Sequence, residues 1–151
     1  MLCKNILIIE DNDDIRDSVA EILKIEGYEV YPVANGKEGL RALKHLPSPT
    51  LILLDMMMPW MNGWEFTQAL GKDPARESSS FIVVVSALNA EQALGTAEHP
   101  VPARGYIRKP IDLETLLDVV QTHCGLPGCL QTPGLTTRIS TRHSSESHTV
   151  N

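Results

Sequence analysis

Aromatic residues make up only 5% of the 151, and nowhere is a Lys- or Arg-rich run interleaved with them. That disfavours direct nucleic-acid binding, which needs a basic surface with stacking partners. Acidic residues outnumber basic ones by 19 to 13, for a net charge of −6, so the overall field also repels phosphate backbones. No apolar run approaches the roughly 20 residues a membrane span needs, and the opening "MLCKNILIIEDND" has too short an apolar core for a signal segment. A cytoplasmic protein with no membrane contact is expected. Cysteine is scarce: Cys3, Cys124 and Cys129 are odd in number and lack C-x-x-C spacing, so reduced thiols are expected. His123 beside Cys124 adds too few ligands for zinc.

What remains is an ordinary globular composition, 42% apolar and 21% charged, in a chain long enough for one domain with a proper core. Short aliphatic runs alternate with segments of helical period. "ILII" (6–9) precedes Ile15, Val19, Ile22 and Leu23 on one helix face. "YEVYPV" (28–33) precedes Gly39, Leu40, Leu43 and Leu46, and "LILL" (51–54) precedes a helix opening at Gly63 with Phe66 and Leu70. "FIVVV" (81–85) precedes a weaker Ala-rich helix from Asn89 to about Glu98, and "GYIRK" (105–109) precedes Leu113, Leu116, Leu117, Val120 and Cys124. Five near-continuous aliphatic strands separated by five helices predict an α/β fold with a doubly wound five-stranded parallel sheet, covered on both faces. From Gly125 onward, three Gly, two Pro and nine Ser or Thr replace any apolar period. Residues 1–124 are therefore expected to form the domain and 125–151 a flexible tail. The tail's Arg138, Arg142 and Glu146 sum to +1, so the domain carries −7.

In an open α/β sheet, ligands bind beyond the carboxyl ends of the strands, at the switch point in strand order. Glu10 and Asp11 follow the first strand, Asp55 the third and Ser86 the fourth, while Lys109 ends the fifth. The second strand ends in uncharged Ala34 and Asn35, which fits an order of 2-1-3-4-5. Each polar residue alone has a plainer reading. Asp11 or Asn12 could cap the first helix, and Asp13, Asp14 and Asp17 suit its positive end. Asp55 could shape a turn, Ser86 could cap a helix, and Lys109 could simply be solvated. The joint placement argues otherwise, because independent punctuation has no reason to gather at one end of the sheet.

Two carboxylates near 4 Å repel by about 4 kcal/mol at an effective dielectric of about 20. Three converging acids must therefore protonate or bind a cation. An all-oxygen donor set favours a hard ion, Mg²⁺ over Zn²⁺. Mg²⁺ usually takes one or two carboxylates plus phosphate oxygens, which leaves one acid free to act as a nucleophile and form an aspartyl phosphate. Phosphoryl transfer also needs positive charge and a hydrogen-bond donor, which Lys109 and Ser86 supply.

The motifs "ILIIEDND", "LILLDMMMPWMNG", "VVVSA" and "GYIRKPID" resemble those of the receiver domain of two-component response regulators, the CheY-like superfamily, over about residues 4–124 in order and spacing. The resemblance implies a flavodoxin-like (βα)5 fold in a stand-alone receiver and makes Asp55 the phosphoacceptor. Asp11 and Asp55 would ligate Mg²⁺ with the Met57 backbone carbonyl, and Glu10 would act on the metal through water. Lys109 would bind a phosphoryl oxygen, its bond to Pro110 cis. Ser86 and Tyr106 would be the switch pair, Ser86 moving toward the phosphoryl group and Tyr106 swinging inward behind it. The implied partners are a histidine kinase or histidine phosphotransfer protein and a downstream protein target, met through a face built from the fourth helix, fifth strand and fifth helix.

Three departures qualify that resemblance. Glu10 stands where the family more often has Asp. Pro100 and Pro102 in "EHPVPARGY" should end the fourth helix early and alter the output face. Met57 and Leu88, two residues beyond Asp55 and Ser86, are apolar where a polar group could orient an attacking water, which predicts slow loss of the phosphoryl group. Trp60 is either an exposed partner contact or a loop anchor, whereas Trp64 should pack. A haloacid-dehalogenase-type phosphatase would need a second Asp at position 57. A Rossmann module would need a Gly-rich turn where "EDNDD" stands. A degenerate receiver, binding partners without phosphorylation, is the remaining alternative.

Overall fold

The computed structural model describes residues 2–95, 98 and 100–126. Five parallel strands, β1 (Asn5–Ile9), β2 (Val30–Val33), β3 (Thr50–Leu54), β4 (Ser80–Ser86) and β5 (Ala103–Arg108), lie in the order β2-β1-β3-β4-β5. This is the doubly wound sheet that the strand pattern predicts. Every residue of β1 and β3 is buried, as expected where helices cover both faces of a parallel sheet. Pro32, which cannot donate to a ladder, sits on the edge strand β2, opposite Ile8.

The period of two along the strands divides the core. Ile6, Ile8, Leu51, Leu53, Val83 and Val85 face α1 (Asp13–Ile25) and α6 (Leu113–Cys124), whose Val19, Leu23, Leu116 and Val120 complete that layer. Leu7, Ile9, Ile52, Leu54, Ile82 and Val84 face the other side, against α2 (Gly36–Leu43) and α3 (Gly63–Gly71), with Leu43, Phe66 and Leu70. Trp64 packs on that second layer, whereas Trp60 is 82% exposed.

Among the described residues six helices are present where five were expected. The extra one, α4 (Pro74–Ser78), is a single turn in the crossover from α3 to β4. Asp73 caps it, accepting from the Arg76 N–H, and Pro74 occupies its first position. Those are genuine start signals, but no apolar period follows them. The helix expected at 89–98 is α5 (Ala90–Ala93), only four residues long. Pro100 instead joins a short antiparallel bridge with Gly95, and the Val101 N–H donates to the Leu94 carbonyl, so the chain turns back early into β5. A register shift at Ile82/Val83 then leaves Arg104 out of the ladder, its guanidinium 4.6 Å from the Phe81 ring centre.

The expectation of reduced thiols is overturned for two of the three cysteines. Cys3 and Cys124 are joined as a disulfide, their Cα atoms 4.5 Å apart across 121 positions of sequence. In this topology α6 runs antiparallel to the strands, which returns its last residue to the edge where β1 begins. Linear spacing does not show that approach. His123, weighed above as a zinc ligand, lies with its ring 5.9 Å from that of Phe81. The tail assigned to 125–151 lies, beyond Leu126, outside the described residues.

Candidate functional site

The sheet delivers its polar residues to one rim. Glu10 leaves β1, Asp55 leaves β3, Ser86 ends β4 and Lys109 follows β5; the main chain ties these ends together, with the Asp55 N–H donating to Ile9 and the Lys109 N–H to Ser86. Glu10 and Asp55 are 4% and 5% exposed, while Asp11 is open to solvent. One carboxylate oxygen from each of Glu10, Asp11 and Asp55 lies within 4.8 Å of the others. The Lys109 Nζ is 2.5 Å from Glu10 Oε1 and 3.7 Å from Asp55 Oδ2. The Lys109–Pro110 peptide bond is cis, and so is Ser48–Pro49, which the sequence reading did not anticipate.

Capping is settled residue by residue. Asn12, not Asp11, caps α1, its side chain accepting from the Ile15 N–H at 2.9 Å, so Asp11 is released to the acidic group. Asn89, not Ser86, caps α5, and Ser86 is fully buried with its Oγ accepting from the Leu88 N–H at 3.1 Å. The Tyr106 hydroxyl donates to the Leu88 carbonyl, which holds the ring inward over the loop after β4. Met57 exposes its side chain, and its N–H donates to Asp55 Oδ1 at 3.2 Å.

The electrostatics follow from burial without a counter-cation sufficient for two acids. Burial pushes the Asp55 carboxyl up to about 8, helped by its hydrogen bond with Glu10 and by the Glu10 charge. Burial also acts upward on Glu10, but the hydrogen bonds from Asp55 and Lys109 and the Lys109 charge outweigh it, leaving Glu10 below its usual range. Burial of two neighbouring acids therefore favours a shared proton, with Asp55 the acid raised and Glu10 the acid lowered. An all-oxygen set carrying this much repulsion fits a hard divalent cation, which would replace that proton.

Three further residues shape this rim, of which only Arg16 escaped the sequence reading. The Arg16 Nη1 donates to the Glu10 carbonyl at 3.1 Å while Nη2 holds Asp13 at 2.6 Å, pinning the turn that carries the acids. Gly63 supports the loop after Asp55, for a Cβ there would lie 2.8 Å from Met56 Cα and 3.0 Å from the Asp55 carbonyl oxygen. Trp60 adopts a left-handed backbone, φ 72°, in the same loop. Gly63 and Trp60 are singled out by the sequence, though not the left-handed backbone of Trp60; Arg16 carries no signal.

Comparison with known proteins bears on this rim. The model for the response regulator receiver domain matches residues 6–121. The chain belongs to the response regulator receiver domain family. It is 31% identical over 115 residues to the protein PilH of Pseudomonas aeruginosa, covering 76% of this chain and 93% of that one. It is likewise 31% identical over 115 residues to the chemotaxis protein CheY of Treponema pallidum, covering 75% and 77%. Against the transcriptional regulatory protein CrdR of Helicobacter pylori, at 34% identity, it spans only 51% of the relative's length. Among solved structures, a CheY-like receiver domain from Methanospirillum hungatei superposes with a TM-score of 0.68 at 31% identity, covering 80% and 94% of the two chains. CheY4 of Vibrio cholerae gives 0.70 at 28%, covering 82% and 99%. Receiver domains act as signalling switches that bind Mg²⁺ at an acidic pocket and meet histidine kinases and downstream targets. No helix among the described residues is long and apolar enough to cross a membrane.

Proposed function

We propose that this chain is a single-domain response regulator, a receiver over 1–124 with a tail over 125–151. Asp55 takes a phosphoryl group from a histidine kinase or histidine phosphotransfer protein, and the phosphorylated form signals by binding a downstream protein. The observation that carries this reading is the convergence of Glu10, Asp11 and Asp55 within 4.8 Å, with Lys109 beside them. Such partners place the protein in the cytoplasm.

Glu10, Asp11, Asp55 and the Met57 carbonyl would hold Mg²⁺. Once bound, Mg²⁺ supplies positive charge that favours ionised Asp55 and neutralises phosphoryl oxygens. Asp55 is the nucleophile: a carboxylate oxygen attacks phosphorus in line, the phosphorus–nitrogen bond of the donor histidine breaks, and the imidazole, already protonated on its other ring nitrogen, leaves as the neutral ring. The Lys109 ammonium needs little movement from Glu10 to reach an equatorial oxygen. The Ser86 hydroxyl donates to another, giving up its contact with the Leu88 N–H. Leu88 also holds Tyr106 by its carbonyl, so a shift of Ser86 is transmitted to the ring and to β5.

Intact mass after incubation with Mg²⁺ and acetyl phosphate tests the reading. The expected result is a gain of one phosphoryl group, lost in Asp55→Asn and without Mg²⁺. Absence of that gain, with histidine kinases also failing as donors, would refute it and leave a module that binds partners without phosphorylation.

A further inference from the structure

The geometry points to a reversible redox modification site formed by Cys3 and Cys124, at the edge of the sheet opposite the acidic rim. Oxidation there staples the entry to β1 onto the end of α6. Two independent features support a pair built to close and open. The first is reach: the Cα atoms lie 4.5 Å apart, inside the range a disulfide spans without moving the backbone. The second is that other bonds hold the two segments in place. The Cys3 N–H donates to the His123 carbonyl at 2.9 Å, the Lys4 N–H to Pro49 at 2.8 Å, and the Tyr28 hydroxyl to the Gly125 carbonyl at 2.8 Å. The reduced thiols therefore stay juxtaposed, and the site survives each cycle.

The two sulfurs differ in chemistry. Cys124 is 7% exposed at the end of α6, so an oxidant reaches it poorly. Cys3 is more accessible, lies outside any helix and is followed by Lys4. Cys3 is thus the attacking residue and Cys124 the resolving one. With glutathione disulfide as oxidant, the Cys3 thiolate displaces one glutathione thiolate to give a mixed disulfide. The Cys124 thiolate then attacks the Cys3 sulfur and displaces the second. Two protein thiols lose two electrons, two glutathiones gain them, and the two protons pass to the released thiols.

The staple joins the two segments whose far ends carry the site. β1 (Asn5–Ile9) begins two residues after Cys3 and ends just before Glu10, and α6 (Leu113–Cys124) runs back to Cys124 from the segment that follows Lys109 and Pro110. Closing one end constrains the unfolded chain across 121 positions and suppresses fraying of the last turn of α6.

The full chain is equilibrated with glutathione disulfide or with dithiothreitol, alkylated with iodoacetamide and mapped by mass spectrometry, with melting temperatures recorded in parallel. The expected product links Cys3 to Cys124 and leaves Cys129 alkylated. It melts about 10 °C above the reduced form, a shift absent from Cys124→Ser and retained in Cys129→Ser. A major linkage through Cys129, alkylation of all three thiols after oxidant, or equal melting temperatures in wild type would each overturn the assignment.

Discussion

Replacing Asp55 by Asn removes its titrating proton while keeping nearly the same side-chain shape, so in the metal-free protein it isolates the electrostatics of that carboxyl. The folded carboxyl sits at about 8 against an ordinary value of 3.8. Below pH 3.8 both folded and unfolded chains hold the proton and no penalty exists. Between the two values the unfolded chain releases the proton while the folded one keeps it, and stability falls by about 1.4 kcal/mol per pH unit. Above about 8 both are ionised and the loss levels off. Glu10, shifted the opposite way, gains its contribution above its unfolded value and loses it only in more acidic solution. It therefore does not mask the effect between about pH 5 and 8. An amide cannot titrate, so Asp55→Asn should gain on wild type across that window by up to roughly 4 kcal/mol, a large share of the roughly 5–15 kcal/mol typical of a domain. Urea unfolding in EDTA at constant redox state, followed by far-UV circular dichroism at about pH 5, 6, 7 and 8, measures it. A difference between the two proteins that stays flat to within about 1 kcal/mol would show that Asp55 is not held protonated and that the electrostatic reading of the rim is wrong.

Other outcomes rest on the same geometry. Mg²⁺ binding at about pH 7 should expel close to one proton per ion, read from calorimetry in buffers of different ionisation enthalpy; binding without proton release would contradict the Asp55 assignment. Gly63→Ala places a Cβ against main-chain atoms of Met56 and Asp55, which cannot retreat as a side chain could, and should cost about 1–3 kcal/mol in denaturant unfolding. Asn12→Ala leaves the Ile15 N–H without its partner and should cost about 1 kcal/mol, with phosphorylation by acetyl phosphate retained. Met57→Asn brings an amide beside the phosphoryl group of Asp55 and should shorten the phosphoprotein's lifetime. Minute-scale decay of the wild-type phosphoprotein, or no change on substitution, would remove the idea that Met57 slows water attack.

The layers and strand order were legible in the sequence because both depend on period and placement, which survive without coordinates. Aliphatic runs such as "LILL" can be satisfied only by burial on two faces, and the uncharged end of the second strand marked it as the one away from the acids. Capping was not legible in the same way. Asp11 and Asn12 are equally good caps on paper, and only the direction in which the chain leaves β1 gives the Ile15 N–H to Asn12 and sends Asp11 toward Asp55. The Cys3–Cys124 pairing and the Arg16 contact to the Glu10 carbonyl are likewise products of chain return and helix rotation. Helix α5 shows partial legibility: Pro100 and Pro102 announced an early end, but not that Gly95 and Pro100 would pair across the gap.

Burial at the rim ties stability to ligation. A fold that keeps two acids 4% and 5% exposed with one proton and one lysine between them is less stable at neutral pH than its neutral counterpart would be. Anything that places positive charge among Glu10, Asp11 and Asp55 recovers that energy, and by linkage a protein destabilised by a site binds the ligand that relieves it more tightly. Trp60 fits the same pattern on the surface, since a left-handed backbone at a tryptophan costs energy that burial of an 82% exposed side chain does little to repay. Asp55 and Trp60 both belong to the stretch that closes on Gly63. If the loop instead existed only to turn the chain, replacing Trp60 by Gly would relieve its backbone without consequence. Trp60→Gly should therefore raise stability by up to about 1 kcal/mol and leave phosphorylation by acetyl phosphate intact, while slowing transfer from a phosphorylated kinase that must lie against that loop. Equal rates from the kinase in variant and wild type would make Trp60 a tolerated defect instead of a contact.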